Sequence, residues 1–287
     1  MLHLIVNGDD FGLSEKVNEG ILQAHLSGIL TSTSIMAQGA AFEHAVNIAK
    51  STPSLDVGVH LTLVEETPLA DLHLVQSMVD ETGRFHHHGT EFIKQYFMGR
   101  ICLQEVRCEL EAQIKRVADS GISISHLDSH QHLHMLPRVL HIAVELAGKY
   151  GIPAIRFPRE ALRIGTIRNW KSIPRVVQMM VLGYFCKMGR NTNAVRTDRF
   201  LGFIYGGNLD KEKLKKLLLS LPPHGTYELM CHPGLEDPNT HYEHWGYKWS
   251  NELDALIDPE ISNLIVSSGI KLVSYKELSE ILNGKRS

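Results

Sequence analysis

The feature that most constrains this sequence is the regular alternation of short apolar runs with longer amphipathic segments along its whole length. Apolar runs of this length are typical of buried parallel strands, and the intervening segments carry apolar residues at helical spacing. Seven runs are predicted to be strands: 2–6, 30–37, 55–63, the run that begins at 122, 154–158, 227–233 and 270–275. The alternation therefore predicts parallel strands joined by crossover helices.

The segments between these runs carry helix signals. Residues 14–28 run from a Ser14 N-cap to Gly28, and residues 103–121 also end at a glycine. Further helices are predicted at 41–51, 137–151, 209–221 and 261–269. Because no Pro-, Gly- or Ser-rich linker interrupts the pattern, residues 1–287 are predicted to be a single α/β domain. A distorted (β/α) barrel of about seven parallel strands is the favoured architecture, and an open doubly wound sheet is the alternative.

Composition excludes several classes of protein. A formal net charge of −3 argues against a dedicated nucleic-acid binder. The four cysteines show no CxxC pairing, so neither a zinc ribbon nor a disulfide framework is indicated. The N-terminus does not resemble a signal peptide, and no run approaches the roughly 20 apolar residues that span a bilayer. These observations favour the cytoplasm.

Polar side chains gather at the ends of four predicted strands. Asp9 and Asp10 follow the first strand, His60 lies near the end of the third, and His232 ends the strand that begins at Tyr227. A histidine-rich stretch follows a fourth strand. Because active sites of parallel α/β proteins collect at the carboxyl ends of the strands, we expect these side chains to converge.

The histidine-rich stretch has a regularity of its own. Five chemically active residues are even-numbered and would share one face of an extended chain: His126, Asp128, His130, His132 and His134. Imidazole and carboxylate are ordinary ligands of zinc and related divalent metals, and surplus members can orient the ligands. An exposed loop, or core imidazoles satisfied by the backbone, is the alternative. The separate run His86–His88 is predicted to be solvated surface.

Two adjacent carboxylates at the end of an apolar strand need a physical reason. Asp9 and Asp10 could cap a helix or a turn, but Ser14 is the better-placed cap. Burying both carboxylates without a cation or a raised pKa would be costly. A metal ion beside one of them would remove much of that cost and leave the other to act as a base.

The motifs NGDDFG, GILTSTSIM, GVHLTL, HLDSHQHLHMLP and ELMCHPG, in this order, resemble the YdjC-like carbohydrate deacetylase family. That family includes chitooligosaccharide deacetylases and hopanoid-biosynthesis deacetylases. The resemblance runs from residue 4 to about 140, resumes at 227–234 and is loose between them. It implies a distorted (β/α) barrel related to polysaccharide deacetylases, with one bound divalent metal ion.

The resemblance also implies roles for individual residues. By motif position, Asp10, His60 and His130 match the metal ligands, Asp9 matches the base and His232 matches the acid. The implied reaction is metal-assisted hydrolysis of the N-acetyl group of an amino sugar. The metal is expected to be Mg²⁺ or Zn²⁺, with other transition metals possible by ligand type. Residues expected to support the ligands or contact the substrate are Asp128, His126, His132, His134 and Arg156.

A basic and apolar insertion is predicted at about 159–199. It holds nine Lys or Arg residues against two acidic residues, and the apolar run 176–185 lies inside it. Apolar helices flanked by cations can lie on anionic membrane surfaces. The hypothesis is that this insertion borders the active-site mouth, receives a lipid-linked or otherwise amphipathic N-acetyl sugar and contacts the membrane peripherally. The alternative is a buried helix or a homodimer contact.

Two other function classes remain open at this stage. A metal-dependent phosphoester hydrolase uses similar ligands and often two metals, for which His126, His132 and His134 would be available. A non-catalytic metal-binding barrel would need the ligands but not the base. Metal stoichiometry, acetate release and an Asp9→Asn variant separate these readings.

Overall fold

The strands of the protein form one parallel sheet in a computed structural model that describes residues 1–161, 173–189, 192–238 and 240–284. The strands are β1 (Leu2–Phe11), β2 (Ser32–Ile35), β3 (Asp56–Leu61), β4 (Ile124–Ser129), β5 (Ala154–Ile155), β6 (Arg199–Leu201), β7 (Gly225–Cys231) and β8 (Ile270–Leu272). Their order is β5-β4-β3-β2-β1-β7-β6, and β8 pairs with the beginning of β1. The prediction of parallel strands is confirmed.

Helices follow most strands and cover the outside of the sheet. They are α1 (Glu15–Ser27), α2 (Phe42–Ser51), α3 (Gly89–Phe97), α4 (Leu103–Asp119), α5 (Pro137–Tyr150), α6 (Ile173–Met188), α7 (Lys211–Leu219), α8 (Trp249–Ile257), α9 (Pro259–Ser267) and α10 (Tyr275–Asn283). The Ser14 hydroxyl caps α1 by accepting the N–H of Val17, and Gly28 ends the helix, as predicted.

The sheet curls until its two ends meet. Ala154 of β5 forms a parallel bridge with Val195, which lies a few residues before β6. The N–H of Ile155 donates to the carbonyl of Val195 at 3.0 Å, and the N–H of Phe200 donates to the carbonyl of Arg159 at 3.1 Å. This short seam joins the first and last strands of the path. The fold is therefore a distorted barrel rather than an open doubly wound sheet.

The inside of the barrel is apolar at the amino ends of the strands. A small buried cluster fills it there: Ile5, Ala154, Val195, Val273, Tyr275 and Leu278. The ring of His126 stacks on Tyr275, with ring centroids 3.8 Å apart. A Cβ on Gly58 would lie only 2.4 Å from that imidazole, so the neighbouring strand needs glycine at this position. Polar side chains begin above this layer, toward the carboxyl ends.

The extended histidine face predicted for 126–134 is wrong beyond Ser129. β4 ends at Ser129, and His130–Met135 form a 3-10 helix. Gln131 and His132 have left-handed backbone conformations, with φ of 53° and 56°. The chain turns away from the strand direction, so residues two apart no longer share a face. Only His126 and Asp128 keep the alternation of a strand.

The sequence patterns missed β6, α3, α8 and α10. β6 has three residues and begins with exposed Arg199, so it carries no apolar run. α3 begins directly after the run His86–His88, in a segment predicted to be loop. His87 and His88 are exposed and His86 is half-buried, in line with the prediction of solvated surface for this run.

The predicted insertion contributes one described helix, α6. Four of its basic residues lie outside the described residues: Arg163, Arg168, Lys171 and Arg190. α6 itself is apolar, with Arg175 near its beginning and Lys187 near its end. None of the helices in the described ranges combines the length and apolar character needed to cross a bilayer.

Candidate metal centre and active site

Three side chains from β1, β3 and the end of β4 meet at the carboxyl end of the barrel. Oδ1 of Asp10 lies 3.3 Å from Nε2 of His60 and 3.3 Å from Nδ1 of His130. One ligand atom from each residue lies within 4.8 Å of the other two. Both carboxylate oxygens of Asp10 are buried without a hydrogen-bond partner among the described residues. Two imidazoles and an unsatisfied carboxylate fit a divalent cation.

Each imidazole presents its second nitrogen to a carboxylate. Nδ1 of His60 lies 2.8 Å from Oδ1 of Asp128, and Nε2 of His130 lies 2.8 Å from Oε2 of Glu65. Ser34 reinforces the first pair by donating to Oδ2 of Asp128 at 2.9 Å. Metal-binding histidines commonly have this outer arrangement, which fixes the tautomer and the orientation of the ring.

The electrostatics of this cluster call for positive charge. Burial alone would lower the pKa of His60, but the charge of Asp128 and the close approach of the Asp10 carboxylate raise it to about 10. Burial would also lower the pKa of His130, but the nearby Asp10 carboxylate and the hydrogen bond to Glu65 raise it to about 9. Burial would raise the pKa of Asp10, yet the two imidazoles hold it well below its usual range. A divalent ion would replace these protons on binding.

Asp9 belongs to a neighbouring ion network centred on the buried Arg156. Nη1 and Nη2 of Arg156 donate to the two carboxylate oxygens of Asp9, each at 2.7 Å. Nη1 also lies 2.7 Å from Oδ2 of Asp128, and Nε donates to Oε1 of Glu228 at 2.6 Å. One guanidinium thus faces three buried carboxylates. Burial raises the pKa of Glu228 to about 7, although Arg156 opposes this shift.

A second set of possible ligands shares one residue with the first. Asp9, His60 and Asp128 also have ligand atoms within 4.8 Å of one another. However, both carboxylates of this set already accept hydrogen bonds or ion pairs from Arg156, whereas the oxygens of Asp10 do not. The arrangement therefore favours one ion, beside Asp10.

A cavity of about 370 Å³ opens above the cluster, and Asp9, His60, His130 and His232 line it. His232 follows β7, and its Nδ1 faces the N–H of Gly207 at 3.3 Å. With Nδ1 accepting, the neutral ring carries its proton on Nε2.

The second partner of His232 is acidic. Oε2 of Glu252 lies 3.8 Å from Nδ1 of His232 and accepts a hydrogen bond from the backbone N–H of His232 at 2.6 Å. Burial alone would lower the pKa of His232, but Glu252 raises it above its ordinary value. A histidine with a raised pKa beside a cavity is suited to proton donation.

The other predicted histidines lie away from the Asp10 cluster. Nδ1 and Nε2 of His134 contact the Ser129 hydroxyl at 2.6 Å and the Arg156 carbonyl at 3.0 Å. His132 packs between aromatic rings and lines the cavity. Burial lowers the pKa of His126 to about 3, that of His134 to about 4 and that of His132 well below its usual value. None of the three belongs to a ligand group in the described part of the chain.

Backbone strain is concentrated around the candidate ligands. Within the described ranges, four residues other than glycine have positive φ: Asp10 at 66°, Glu65 at 70°, Gln131 at 53° and His132 at 56°. Asp10 is a candidate ligand, and Gln131 and His132 follow the candidate ligand His130. Glu65 contacts His130. Left-handed conformations cost side-chain-bearing residues of the order of 1–3 kcal/mol and collect at functional sites.

Several residues of the site escaped the sequence analysis. They are Ser34, Glu65, Glu228, Trp245, Tyr247 and Glu252. The Trp245 ring stacks on His130 with centroids 4.8 Å apart, and the Tyr247 ring packs on His232 at 4.7 Å. The aromatic run 242–249 and the pair Glu65-Glu66 shortly after the third strand were available signals. Glu228 and Glu252 carry no local signal, because their roles depend on distant partners.

α6 forms an apolar wall of the cavity. Four of its side chains line that wall: Val177, Val181, Leu182 and Phe185. Val177 is 52% exposed and Val181 is 48% exposed, so the apolar wall continues onto the outer surface. α6, the described helix of the predicted insertion, therefore borders the cavity, and Arg175 also lines it.

Comparison with known proteins identifies the family of this chain. The sequence profile described as YdjC-like protein matches residues 3–267. The carbohydrate deacetylase of Geobacillus stearothermophilus is 32% identical over 280 residues, which cover 97% of this chain and 99% of that relative. The chitooligosaccharide deacetylase of Yersinia enterocolitica serotype O:8 is 32% identical over 277 residues, which cover 96% and 98%.

A solved structure is similar over the same extent. It is a protein of Enterococcus faecalis V583, named provisionally for cellobiose-phosphate cleavage. It superposes with a TM-score of 0.76 at 30% identity and covers 96% of this chain and 98% of that chain. Since the profile and the relatives match nearly the whole sequence, the chain belongs to the YdjC-like protein family.

Proposed function

We propose that this protein is a metal-dependent hydrolase that removes the acetyl group from an N-acetylated amino sugar. The observation that carries the proposal is the meeting of Asp10, His60 and His130 beside Asp9 and His232 around one cavity. The names of the curated relatives, carbohydrate deacetylase and chitooligosaccharide deacetylase, support the same reaction class.

The metal would be held by Oδ1 or Oδ2 of Asp10, Nε2 of His60 and Nδ1 of His130. When bound, a divalent ion supplies a Lewis acid that polarises an amide carbonyl and makes water more acidic near neutral pH. The two nitrogen ligands favour Zn²⁺ or another transition metal over Mg²⁺, which prefers oxygen. Asp128 and Glu65 accept the remaining imidazole N–H groups and fix the rings.

The residues around the cavity divide the proton transfers between them. Asp9 is the proposed base that takes the proton of the attacking water, and Arg156 holds its carboxylate in one orientation. His232 is the proposed acid that protonates the departing amine, which is a poor leaving group without that proton. Arg156 is fully buried and does not line the cavity, so its proposed role is to position Asp9 rather than to contact substrate.

Phosphoester hydrolysis with two metals is the weaker candidate. His126, His132 and His134 are occupied by packing and hydrogen bonds, and they do not approach the Asp10 cluster. A non-catalytic barrel would not need a base and an acid beside the ion. Among the described residues, the geometry therefore favours a single-ion hydrolase.

The proposed substrate has an apolar portion, such as the lipid of a glycolipid. The support is the continuous apolar surface that runs from inside the cavity along α6 to exposed Val177 and Val181, with Arg175 and Lys187 near the ends of the helix. We further propose the cytoplasm as the compartment and peripheral contact with an anionic membrane. A homodimer that covers the same face is the alternative.

An acetate-release screen tests the proposal. Chitobiose, N-acetylglucosamine conjugates and N-acetylated glycolipids are offered to protein loaded with Zn²⁺, Mn²⁺, Co²⁺ or Mg²⁺. We expect metal-dependent acetate release from at least one class and none from an Asp9→Asn variant that still binds the ion. No acetate from any class, together with phosphate release from phosphorylated sugars, would favour the second candidate.

A further inference from the structure

The two candidate imidazole ligands are supported in different ways. His60 lies within β3, and its partner Asp128 is held in place by β4, Ser34 and Arg156. His130 is the first residue after β4 and is followed by two left-handed residues. The sheet therefore fixes His60, whereas His130 depends on side chains from elsewhere for its orientation.

Two contacts fix the ring of His130. Trp245 stacks on its face at 4.8 Å, and Oε2 of Glu65 lies 2.8 Å from Nε2 at its edge. The Glu65 side chain is 8% exposed, so solvent competes little for this hydrogen bond. An acceptor at Nε2 leaves the proton of the neutral ring there and keeps Nδ1, which lies 3.3 Å from Asp10, available as a ligand atom.

Hydrogen bonds to a neighbouring segment fix the backbone of Glu65. Its N–H donates to the carbonyl of His86 at 2.9 Å, and its own carbonyl accepts from Nη2 of Arg84 at 3.1 Å. The N–H of Phe85 donates to the carbonyl of Glu66 at 3.1 Å. These bonds pair residues 65–66 with 84–86 and hold Glu65 at φ 70°, a conformation that a non-glycine residue adopts at a cost.

We propose that Glu65 is a positioning residue for the divalent ion, which sets the tautomer and orientation of His130 from a loop outside the sheet. This inference rests on the metal centre of the proposed function. It assigns to residues 65–66 and 84–86 a part in ion binding that was not predicted from the sequence.

Zn²⁺ affinity measured by competition with a chromophoric chelator tests the proposal on the full-length protein stripped of metal. Glu65→Leu removes the acceptor, and we expect Zn²⁺ affinity to fall by about 10- to 100-fold. Glu65→Gln keeps an acceptor without the charge, and its affinity should lie between Glu65→Leu and the wild type. The unfolding temperature of each metal-free variant reports whether the barrel is intact.

The adjacent Glu66 supplies a matched control. It is also buried, but its Oε1 accepts the hydroxyl of Tyr242 at 2.7 Å, which a glutamine can still do. Glu66→Gln should bind Zn²⁺ within about twofold of the wild type. Wild-type affinity in a folded Glu65→Leu variant, or equal losses in Glu65→Gln and Glu66→Gln, would overturn the proposal. Failure of the proposed function has a different signature, namely wild-type protein that binds Zn²⁺ but releases no acetate.

Discussion

Arg156 donates two parallel hydrogen bonds of 2.7 Å to Asp9, whereas the adjacent carboxylate of Asp10 accepts none from the described residues. The two aspartates are neighbours in the chain but have different immediate partners. The guanidinium balances Asp9, and Asp10 is left for a cation between His60 and His130. This division explains how two buried like charges can be tolerated at the end of one strand.

The first prediction separates the roles of the two aspartates. Asp10→Asn should lose most of the bound Zn²⁺ and with it the acetate-releasing activity, because one of three ligands loses its charge. Asp9→Asn should keep the ion and lose about 10²- to 10⁴-fold in kcat, which is the usual contribution of a general base. Metal content by elemental analysis and acetate release measure both. Equal metal contents in the two variants would contradict this division.

The second prediction concerns His232. His232→Gln should lower kcat for N-acetyl substrates by about 10²- to 10⁴-fold, because the amine would depart without its proton. An O-acetyl analogue of the same sugar has a better leaving group, so the defect should be clearly smaller with it. Initial rates of acetate release with the two substrates give the comparison. The same loss with amide and ester would remove the acid role.

The third prediction is one of stability. Arg156→Leu leaves Asp9, Asp128 and Glu228 buried without their cation, and we expect the free energy of unfolding to fall by about 3–5 kcal/mol. Urea denaturation of the metal-free protein measures it. Lys115→Met is the control, because it breaks an exposed ion pair with Asp119 and should leave stability close to the wild type. A folded Arg156→Leu variant with the stability of the wild type would show that the guanidinium does not stabilise the three buried carboxylates.

The fourth prediction concerns pH. The pKa of Glu228 is about 7 in the folded protein and ordinarily 4.5, so between these values the folded state keeps a proton that the unfolded chain has lost. The contribution of Glu228 to stability is therefore fully present below about pH 4.5 and falls as pH rises to 7, by up to about 1.4 kcal/mol per unit.

Glu228→Gln removes this titration. Its free energy of unfolding minus that of the wild type should therefore increase as pH rises from 5 to 7.5, as measured by urea denaturation at several pH values. A constant difference between Glu228→Gln and wild type across this range would mean that Glu228 stays ionised.

The fifth prediction concerns the apolar wall. Val181→Asp places a charge on the α6 face of the cavity and should lower kcat/KM for an N-acetylglucosaminide with a long alkyl chain by about tenfold. Activity on chitobiose should change little. Leu219→Asp is the control, because Leu219 is also an exposed apolar residue but lies on α7 away from the cavity. Equal losses on both substrates would exclude selective binding of an apolar chain.

Flotation with anionic vesicles addresses the membrane contact of the same helix. Wild-type protein should float with the vesicles and Val181→Asp should do so less. If neither protein floats but the alkyl substrate is still preferred, the apolar wall of α6 would bind the substrate and not the membrane.

Much of this site could be predicted because strand order and local pattern were sufficient for it. Asp10, His60 and His130 each follow or end an apolar run, and parallel strands bring such positions to one edge. The spacing of the even-numbered histidines predicted a shared face that does not form, because a 3-10 helix replaces the strand after Ser129. That change depends on left-handed backbone conformations at Gln131 and His132. Neither residue type usually indicates such a conformation.

The partners from distant parts of the chain could not be predicted in the same way. Glu228 points into the barrel only because β7 lies beside β1, and its pairing with Arg156 spans 72 residues. Glu252 reaches His232 from α8, a helix that the patterns missed. Burial of these carboxylates is decided by closure of the barrel, and the seam at Ala154 and Val195 has no sequence signature.

The left-handed residues around the candidate ligands have a consequence for protein engineering. Glycine at positions 10, 65, 131 or 132 would relieve the local backbone, so a search for heat-resistant variants would be drawn to these sites. Any gain in thermal stability there would be accompanied by loss of the backbone conformations that orient the candidate ion ligands. Substitutions intended to raise the thermal stability of this enzyme should therefore be made in the outer helices and not at those four positions.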